Sequence, residues 1–231
     1  MKYTTLLMDA DETIFDFGKC EYNALKAAIE ANGLTFNDEI LETFSAINRR
    51  LWKKLETKCI TSSQLRIQRF RELIEKCFEG FENTEVLAGS YIQELSKQAI
   101  LIEGADKALA ELSRSFDIYI ITNGMKTVQR GRLSRTDITS YIRNIYISDE
   151  LGISKPYAEF FDIVLADIRE QDKSKILVVG DSLTSDMQGG RNAGLDTCLY
   201  DPKLKTEMPN ELCDYRITEL MQIFDLAEEK I

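Results

Sequence analysis

The sequence has no histidine. That absence removes Ser-His-Asp and Cys-His triads, imidazole general bases and His-ligated zinc together, and leaves acid–base chemistry to carboxylates or lysine. Proline is scarce, three residues in 231, and no low-complexity tract interrupts the chain. With 44% apolar and 29% charged residues, it can bury a sizeable core and does not have the composition of a disordered protein. No apolar stretch reaches membrane-spanning length, and the N-terminus enters a strand without a basic leader region. The expectation is a cytoplasmic protein without a membrane partner. Five cysteines, Cys20, Cys59, Cys77, Cys198 and Cys213, show no C-x-x-C spacing and read as reduced, buried thiols. Positive charge is short as well: 29 Lys and Arg against 39 Asp and Glu give −10, and bases come no denser than pairs such as Arg49-Arg50. A field of this sign repels polyphosphate, which excludes a nucleic-acid polymer as partner. A small anion would need a lysine, backbone amides or a metal to hold it.

What the chain does have is a set of short apolar runs. Tyr3 to Met8, Asp117 to Thr122, Asn144 to Ile147 and Lys175 to Gly180 read as strands covered on both faces, with Asp196 to Tyr200 a weaker fifth. Helix-period segments alternate with them: Glu103 to Ser113, Lys126 to Arg135, Pro156 to Asp167 with proline at the first helical position, and Thr184 to Ala193 closed by Gly194. This alternation predicts an α/β fold with a doubly wound parallel sheet. Between the first two strands lie more than a hundred residues, far beyond a crossover helix. From about Lys19 to Ile100 the pattern is amphipathic and helical, over Cys20 to Ala31, Asp38 to Glu56, Ser62 to Cys77 and Glu85 to Gln98. The domain expectation is therefore a catalytic core of residues 1–16 and 101–231 and an inserted helical cap of residues 17–100.

Ligands of open α/β sheets bind at the carboxyl ends of the strands. There the sequence places Asp9-Ala-Asp11-Glu12-Thr, Thr122-Asn123-Gly and Gly180-Asp181-Ser-Leu-Thr-Ser-Asp186, with Lys155-Pro opening the helix after the third strand. Asp9, Asp11 and Asp181, with Asp186 close behind, would repel one another unless a cation neutralised them. Hard oxygen ligands without His or Cys point to Mg2+. A magnesium site beside a lysine suits phosphate: Lys155 supplies charge, Thr122 and the Asn123 amide supply hydrogen bonds, and the Asp11 and Glu12 amides complete the cradle. With serine and histidine routes closed, the best nucleophile is a carboxylate. Asp9 is placed to attack phosphorus, and Asp11 to protonate the leaving oxygen and then deprotonate water. Asp181 carries the metal, and Asp186 either holds a metal-bound water or orients Lys155.

These four fragments, D-x-D-x-T, T-N-G, S-K-P and G-D-S-x-x-x-D, at successive strand ends resemble the four motifs of the haloacid dehalogenase (HAD) superfamily with a subclass I helical cap. The resemblance spans nearly the whole chain. It implies Asp9 as nucleophile, Asp11 as acid/base, Thr122 and Lys155 as the residues of motifs II and III, and Asp181 and Asp186 as metal-binding acids, with Asp9 and Asp11 completing the metal set. Finer stretches, "DADET" with Glu12 replacing the usual glycine, "NRRLWKKLETKCITSSQLRIQRF", "QRGRLSRTDI" and "GDSLTSDMQGGRNAGLDTC", are similar to the YjjG-type pyrimidine 5′-nucleotidases. That similarity implies hydrolysis of nucleoside 5′-monophosphates, unusual pyrimidines included.

Other features read as structural. Asp16 belongs to the hinge into the insertion. Trp52, Phe70 and Phe81 read as cap core, "GGRNAG" as close packing and a helix end, and Lys126, Arg130, Arg132 and Arg135 as a solvated helix face. The expected function is a Mg2+-dependent phosphatase of small phosphomonoesters, acting as a monomer or homodimer on a small-molecule partner. The rivals are a sugar phosphatase or phosphomutase, and a 2-haloacid dehalogenase. The last requires neither Mg2+ nor Asp11.

Overall fold

Buried β-branched and leucine-rich runs pair only where both faces find cover, and five of them do so here in register. The computed structural model describes residues 1–228. In chain order it contains β1 (Thr5–Met8), α1 (Phe17–Ala31), α2 (Asp38–Glu56), α3 (Ser62–Cys77), α4 (Thr84–Leu95), α5 (Ala105–Leu112), β2 (Asp117–Thr122), α6 (Lys126–Leu133) and β3 (Asn144–Ile147). There follow α7 (Ser148–Leu151), α8 (Ala158–Asp167), β4 (Ile176–Gly180), α9 (Gln188–Ala193), β5 (Asp196–Tyr200), β6 (Tyr215–Ile217) and α10 (Ile223–Ala227). Among the described residues no helix is long and apolar enough to cross a membrane.

The strands form one parallel sheet in the order β3-β2-β1-β4-β5-β6, the doubly wound arrangement expected. Leu7 pairs with both Tyr119 of β2 and Val178 of β4. The chain first builds β2 and β3 on one side of β1, then returns to place β4 on the other. This change of direction opens a crevice at the carboxyl ends of β1 and β4. Under one face of the sheet Leu7, Ile121, Ile176 and Val178 pack with Phe160, Phe161 and Val164 of α8.

The chain divides into two compact units. The α/β unit comprises Met1–Phe17, Ile100–Lys126 and the chain from Thr136 onward; the helical unit comprises Gly18–Ala99 and Thr127–Arg135. Within the α/β unit, the segments that leave for the insertion and return from it are joined where Asp16 N donates to Ile100 O at 3.0 Å. Within the helical unit, Asn37 caps α2 by accepting from Ile40 N, and Thr61 and Gln64 form a capping box that starts α3. Its interior is built on Phe44, Phe70 and Tyr91, whose ring centroids lie 5.2 to 5.3 Å apart. The buried Arg69 guanidinium stands over all three rings. Phe70 is core as expected, while Trp52 and Phe81 are only half-buried.

Several expectations need correction. A sixth strand, Tyr215–Ile217, extends the sheet; three residues between Asp214 and Thr218 are too short to carry a readable alternation. Pro156 does not open α8, which begins at Ala158. The segment Thr184 to Ala193 is a π-helical turn, Leu183–Met187, running into α9. The basic face of α6 is not wholly solvated: Arg132 is fully buried and donates Nε to Gln98 O at 3.0 Å. Gly131 lies so close to Ser96 that no side chain fits between them. These contacts draw residues 127–135 into the helical unit. Cys59 is exposed and Cys77 half-buried, against the expectation of buried thiols, and all five cysteines are free thiols.

Candidate active site

The site lies within the α/β unit, where the chain leaves β1, β2 and β4. Asp9 is the first residue after β1 and its N donates to Val179 O at 2.8 Å, which fixes it to the end of β4. The chain then curls at once: Ile14 N and Phe15 N both donate to Ala10 O, and Glu12 N donates to Phe15 O at 2.8 Å. The Glu12 amide is therefore spent inside the turn. Glu12 adopts φ 59, the left-handed region that glycine enters without cost.

Lys155 is the centre of the constellation. Its side chain is closed to solvent, and Nζ donates to Asp9 Oδ1 at 2.6 Å, Asp186 Oδ1 at 2.6 Å and Ile121 O at 2.8 Å. Three acceptors satisfy all three ammonium donors. Asp186, also fully buried, uses Oδ2 to accept from Ser182 N at 3.1 Å. The π-helical turn after β4 carries Asp186 back over the strand end. The space this needs exists only because residue 180 is glycine, since a Cβ there would collide with the Asp186 carboxylate.

A clamp that the sequence did not reveal holds the backbone of Lys155. Asn123 Nδ2 donates to Lys155 O at 2.9 Å, and Lys155 N donates to Asn123 Oδ1 at 2.9 Å. The side chain of Asn123 is thus committed to the lysine. Thr122, buried at the end of β2, accepts at Oγ1 from Gly124 N at 3.1 Å and shapes the same turn. From the other side, Asn192 Nδ2 donates to Pro156 O at 2.9 Å. Gly189 presses against Phe161 and Pro156 without room for a Cβ, the close packing expected of "GGRNAG".

Of the four acids expected at the metal, Asp9, Asp181 and Asp186 converge, each offering a carboxylate oxygen within 4.8 Å of the others. Asp11 stands outside this set, two residues along the curled turn, but its charge reaches Asp9. Burial is the largest influence on the Asp9 carboxyl and lifts it; Lys155 pulls it back, Asp186 and Asp11 lift it again, and the net shift is upward. Asp181 opens to solvent on one side. Even so, its surroundings desolvate it enough to raise its carboxyl, and Asp9, Asp186 and Glu12 add to the rise. Burial would lower the Lys155 ammonium, but the Asp186 and Asp9 charges outweigh it, and Lys155 stays protonated. Three crowded carboxylates with one cation between them retain surplus negative charge. A divalent ion with oxygen preference fits this donor set, which contains no sulfur or nitrogen ligand.

Known proteins are similar to this chain. The family model for haloacid dehalogenase-like hydrolases matches residues 6–200. The pyrimidine 5′-nucleotidase PynA of Streptococcus pneumoniae is 33% identical over 100% of this chain and 98% of its own length. The pyrimidine 5′-nucleotidase YjjG of Escherichia coli is 34% identical over 86% of both chains. The solved structure of the HAD-hydrolase YfnB of Bacillus subtilis, bound to magnesium, superposes with a TM-score of 0.91 at 31% identity, covering 98% of this chain and 99% of that one.

Proposed function

Because the chain belongs to the haloacid dehalogenase-like hydrolases, we propose that it is a Mg2+-dependent phosphatase of small phosphomonoesters, nucleoside 5′-monophosphates foremost, working through a phosphorylated Asp9. The observation that carries this reading is Lys155 held between Asp9 and Asp186 at 2.6 Å from each, with Asp181 in the same cluster. It leaves one oxygen of Asp9 oriented by a fixed cation while the other is available to attack.

In the first half-reaction an Asp9 oxygen bonds to phosphorus, the bond from phosphorus to the leaving oxygen breaks, and Asp11 gives that oxygen its proton. In the second, Asp11 takes a proton from water, the hydroxide bonds to phosphorus, and the bond to Asp9 breaks to release inorganic phosphate. Asp9, Asp181 and Asp186 would hold Mg2+, which supplies charge neutralisation for the phosphoryl oxygens when bound. Thr122 and the Asn123 amide serve those oxygens by hydrogen bonds, and Lys155 by charge. The Asp11 amide joins this cradle. Glu12, with its amide committed to Phe15 O, has no backbone donor left for the phosphate.

We assign catalysis to the α/β unit and selection of the leaving group to the helical unit. The names of PynA and YjjG support pyrimidine nucleotides as the substrate class. A cytoplasmic location and a monomeric or homodimeric state accompany this reading. A 2-haloacid dehalogenase would have no use for Asp11 or for three converging acids.

The test is phosphate release from dUMP, dTMP, UMP and a set of sugar phosphates, with Mg2+ and with chelator, by wild type and Asp9→Asn. Metal-dependent turnover lost in Asp9→Asn is expected. No turnover of any phosphomonoester in the presence of Mg2+ defeats the phosphatase reading. Preference for sugar phosphates removes only the nucleotide claim, and transfer to a second sugar position in place of release would indicate a phosphomutase.

A further inference from the structure

A cleft of about 160 Å3 opens beside the metal-binding acids, lined among others by Glu12, Asp181, Lys203, Lys205 and Thr206. Its acids are Glu12 and Asp181, from the loops after β1 and β4, and Asp201 at the end of β5. Its lysines come from the loop after β5, the next strand outward. Asp181 belongs to both the cleft and the acid cluster, so a group in this cleft lies against the place where metal and phosphate meet.

The lysine loop is built to hold its shape. Asp201, buried at the end of β5, accepts from Lys205 N at 3.0 Å and from Thr206 N at 2.8 Å, and Leu204 N donates to Asp201 O at 3.1 Å. Arg216 ties the far end by donating Nη1 to Thr206 O at 2.8 Å. Leu204, between the two lysines, has φ 51, and Glu12, across the cleft in sequence, has φ 59. These are two of the three non-glycine residues with left-handed backbone among the described residues. Such strain persists only where the surroundings impose it, and it gathers at ligand sites.

The electrostatics give the loop a task. A phosphomonoester dianion approaches a chain of net charge −10 whose reacting centre presents three aspartates, and at that approach repulsion slows encounter and weakens binding. Asp201 spends its carboxylate on the Lys205 and Thr206 amides, and the two lysines at the rim set positive charge against Glu12 and Asp181 where the dianion enters. The volume is too small for a nucleoside, since pockets for molecules of that size run to about 300 Å3 or more, but adequate for a single phosphate. We propose that Lys203 and Lys205 form a capture subsite for the phosphate dianion, receiving the substrate's phosphate on entry and inorganic phosphate on departure. The subsite rests on the phosphatase reading and adds residues to it that none of the four motifs contains.

The test compares wild type, Lys203→Gln/Lys205→Gln and, as a control for net charge, Arg114→Gln/Arg169→Gln, two exposed residues that precede the amino ends of β2 and β4. KM and kcat are measured for p-nitrophenyl phosphate and dUMP, and Ki for inorganic phosphate, at low and high salt. In the double variant, KM for both substrates and Ki for phosphate should rise together by about 5- to 10-fold. Its kcat should fall by less than about twofold, and the salt dependence of kcat/KM should flatten. Constants equal to wild type, or an equal change in Arg114→Gln/Arg169→Gln, overturn the subsite. Wild type without turnover defeats the phosphatase reading instead. The subsite is then judged by calorimetric titration with inorganic phosphate and Mg2+, where equal affinity in wild type and double variant overturns it and weaker affinity in the double variant upholds it.

Discussion

Lys155 Nζ lies 2.6 Å from Asp186 Oδ1, and neither side chain is open to solvent. A buried pair of this kind is costly to break because the survivor is left charged in a dry environment, by about 3 to 5 kcal/mol when nothing else compensates. Here Asp9 still faces the lysine, so Asp186→Ala should cost about 2 to 3 kcal/mol in urea unfolding. It should also lower kcat/KM by about 100-fold or more, because Lys155 shifts toward Asp9 and the cluster loses one of its three converging carboxylates. Asp186→Asn keeps an acceptor for Ser182 N and should recover about half of the stability but little of the rate. Equal activity in Asp186→Asn and wild type would show that the charge of Asp186 is not used.

Gly180 and Asp186 occupy one volume between them. A methyl at residue 180 meets the Asp186 carboxylate, so Gly180→Ala should displace that side chain, cost about 2 kcal/mol and reduce the rate as Asp186→Ala does. The two changes should not add: in Gly180→Ala/Asp186→Ala the carboxylate is gone and only the Cβ of residue 186, at 2.8 Å, still crowds the new methyl, so the alanine at 180 should cost about 1 kcal/mol less than it does beside Asp186. Full additivity in the double-mutant cycle would mean that the glycine serves something other than room for Asp186.

Asn123 and Lys155 test the clamp on the lysine backbone. Asn123→Ala leaves Lys155 N and O without their partners at 2.9 Å, which should cost about 1 to 3 kcal/mol. The lysine would then wander by tenths of an ångström, and kcat should fall by about 10- to 100-fold. A wild-type kcat in a folded Asn123→Ala protein would reduce the clamp to a structural detail.

The strands and the acids at their ends were legible because both are local statements: a run of buried apolar residues, then polar ones that a buried end cannot tolerate without purpose. The boundaries of α2 and α3 were legible from the amphipathic period over Asp38 to Glu56 and Ser62 to Cys77, and the structure adds the caps at Asn37 and Thr61 that hold them there. What depends on distant partners was not. Nothing in "KTVQRGRL" distinguishes Arg132 from Arg130, and only the approach of Gln98 decides that the first is buried. The Asn123 clamp spans 32 positions in the chain. The commitment of the Glu12 amide to Phe15 and the exclusion of Asp11 from the converging acids follow from how tightly the loop after β1 curls, which residue types alone do not set. Three residues of β6 pair because β5 presents an edge to them.

The pH dependence of the metal-free protein has a definite sign. Asp9 and Asp181 have carboxyls lifted from 3.8 to about 7 and about 8, chiefly by burial and then by neighbouring acids. Between those values and 3.8 the folded state binds more protons than the unfolded one, so stability falls as pH rises through that window. Lys155 does not alter this, because its charge is retained in both states until well above neutrality. Mg2+ must displace the excess protons, so its binding releases them and strengthens with rising pH over the same range. With chelator, the melting temperature should therefore decline from about pH 5 to pH 8, whereas with Mg2+ in large excess over its Kd it should be flat or rise, the two curves diverging most at the alkaline end. Titration of Mg2+ at pH 7 in two buffers of different ionisation enthalpy should report proton release. Melting curves that run parallel with and without Mg2+, or a binding enthalpy independent of buffer, would mean that these carboxylates do not hold the ion.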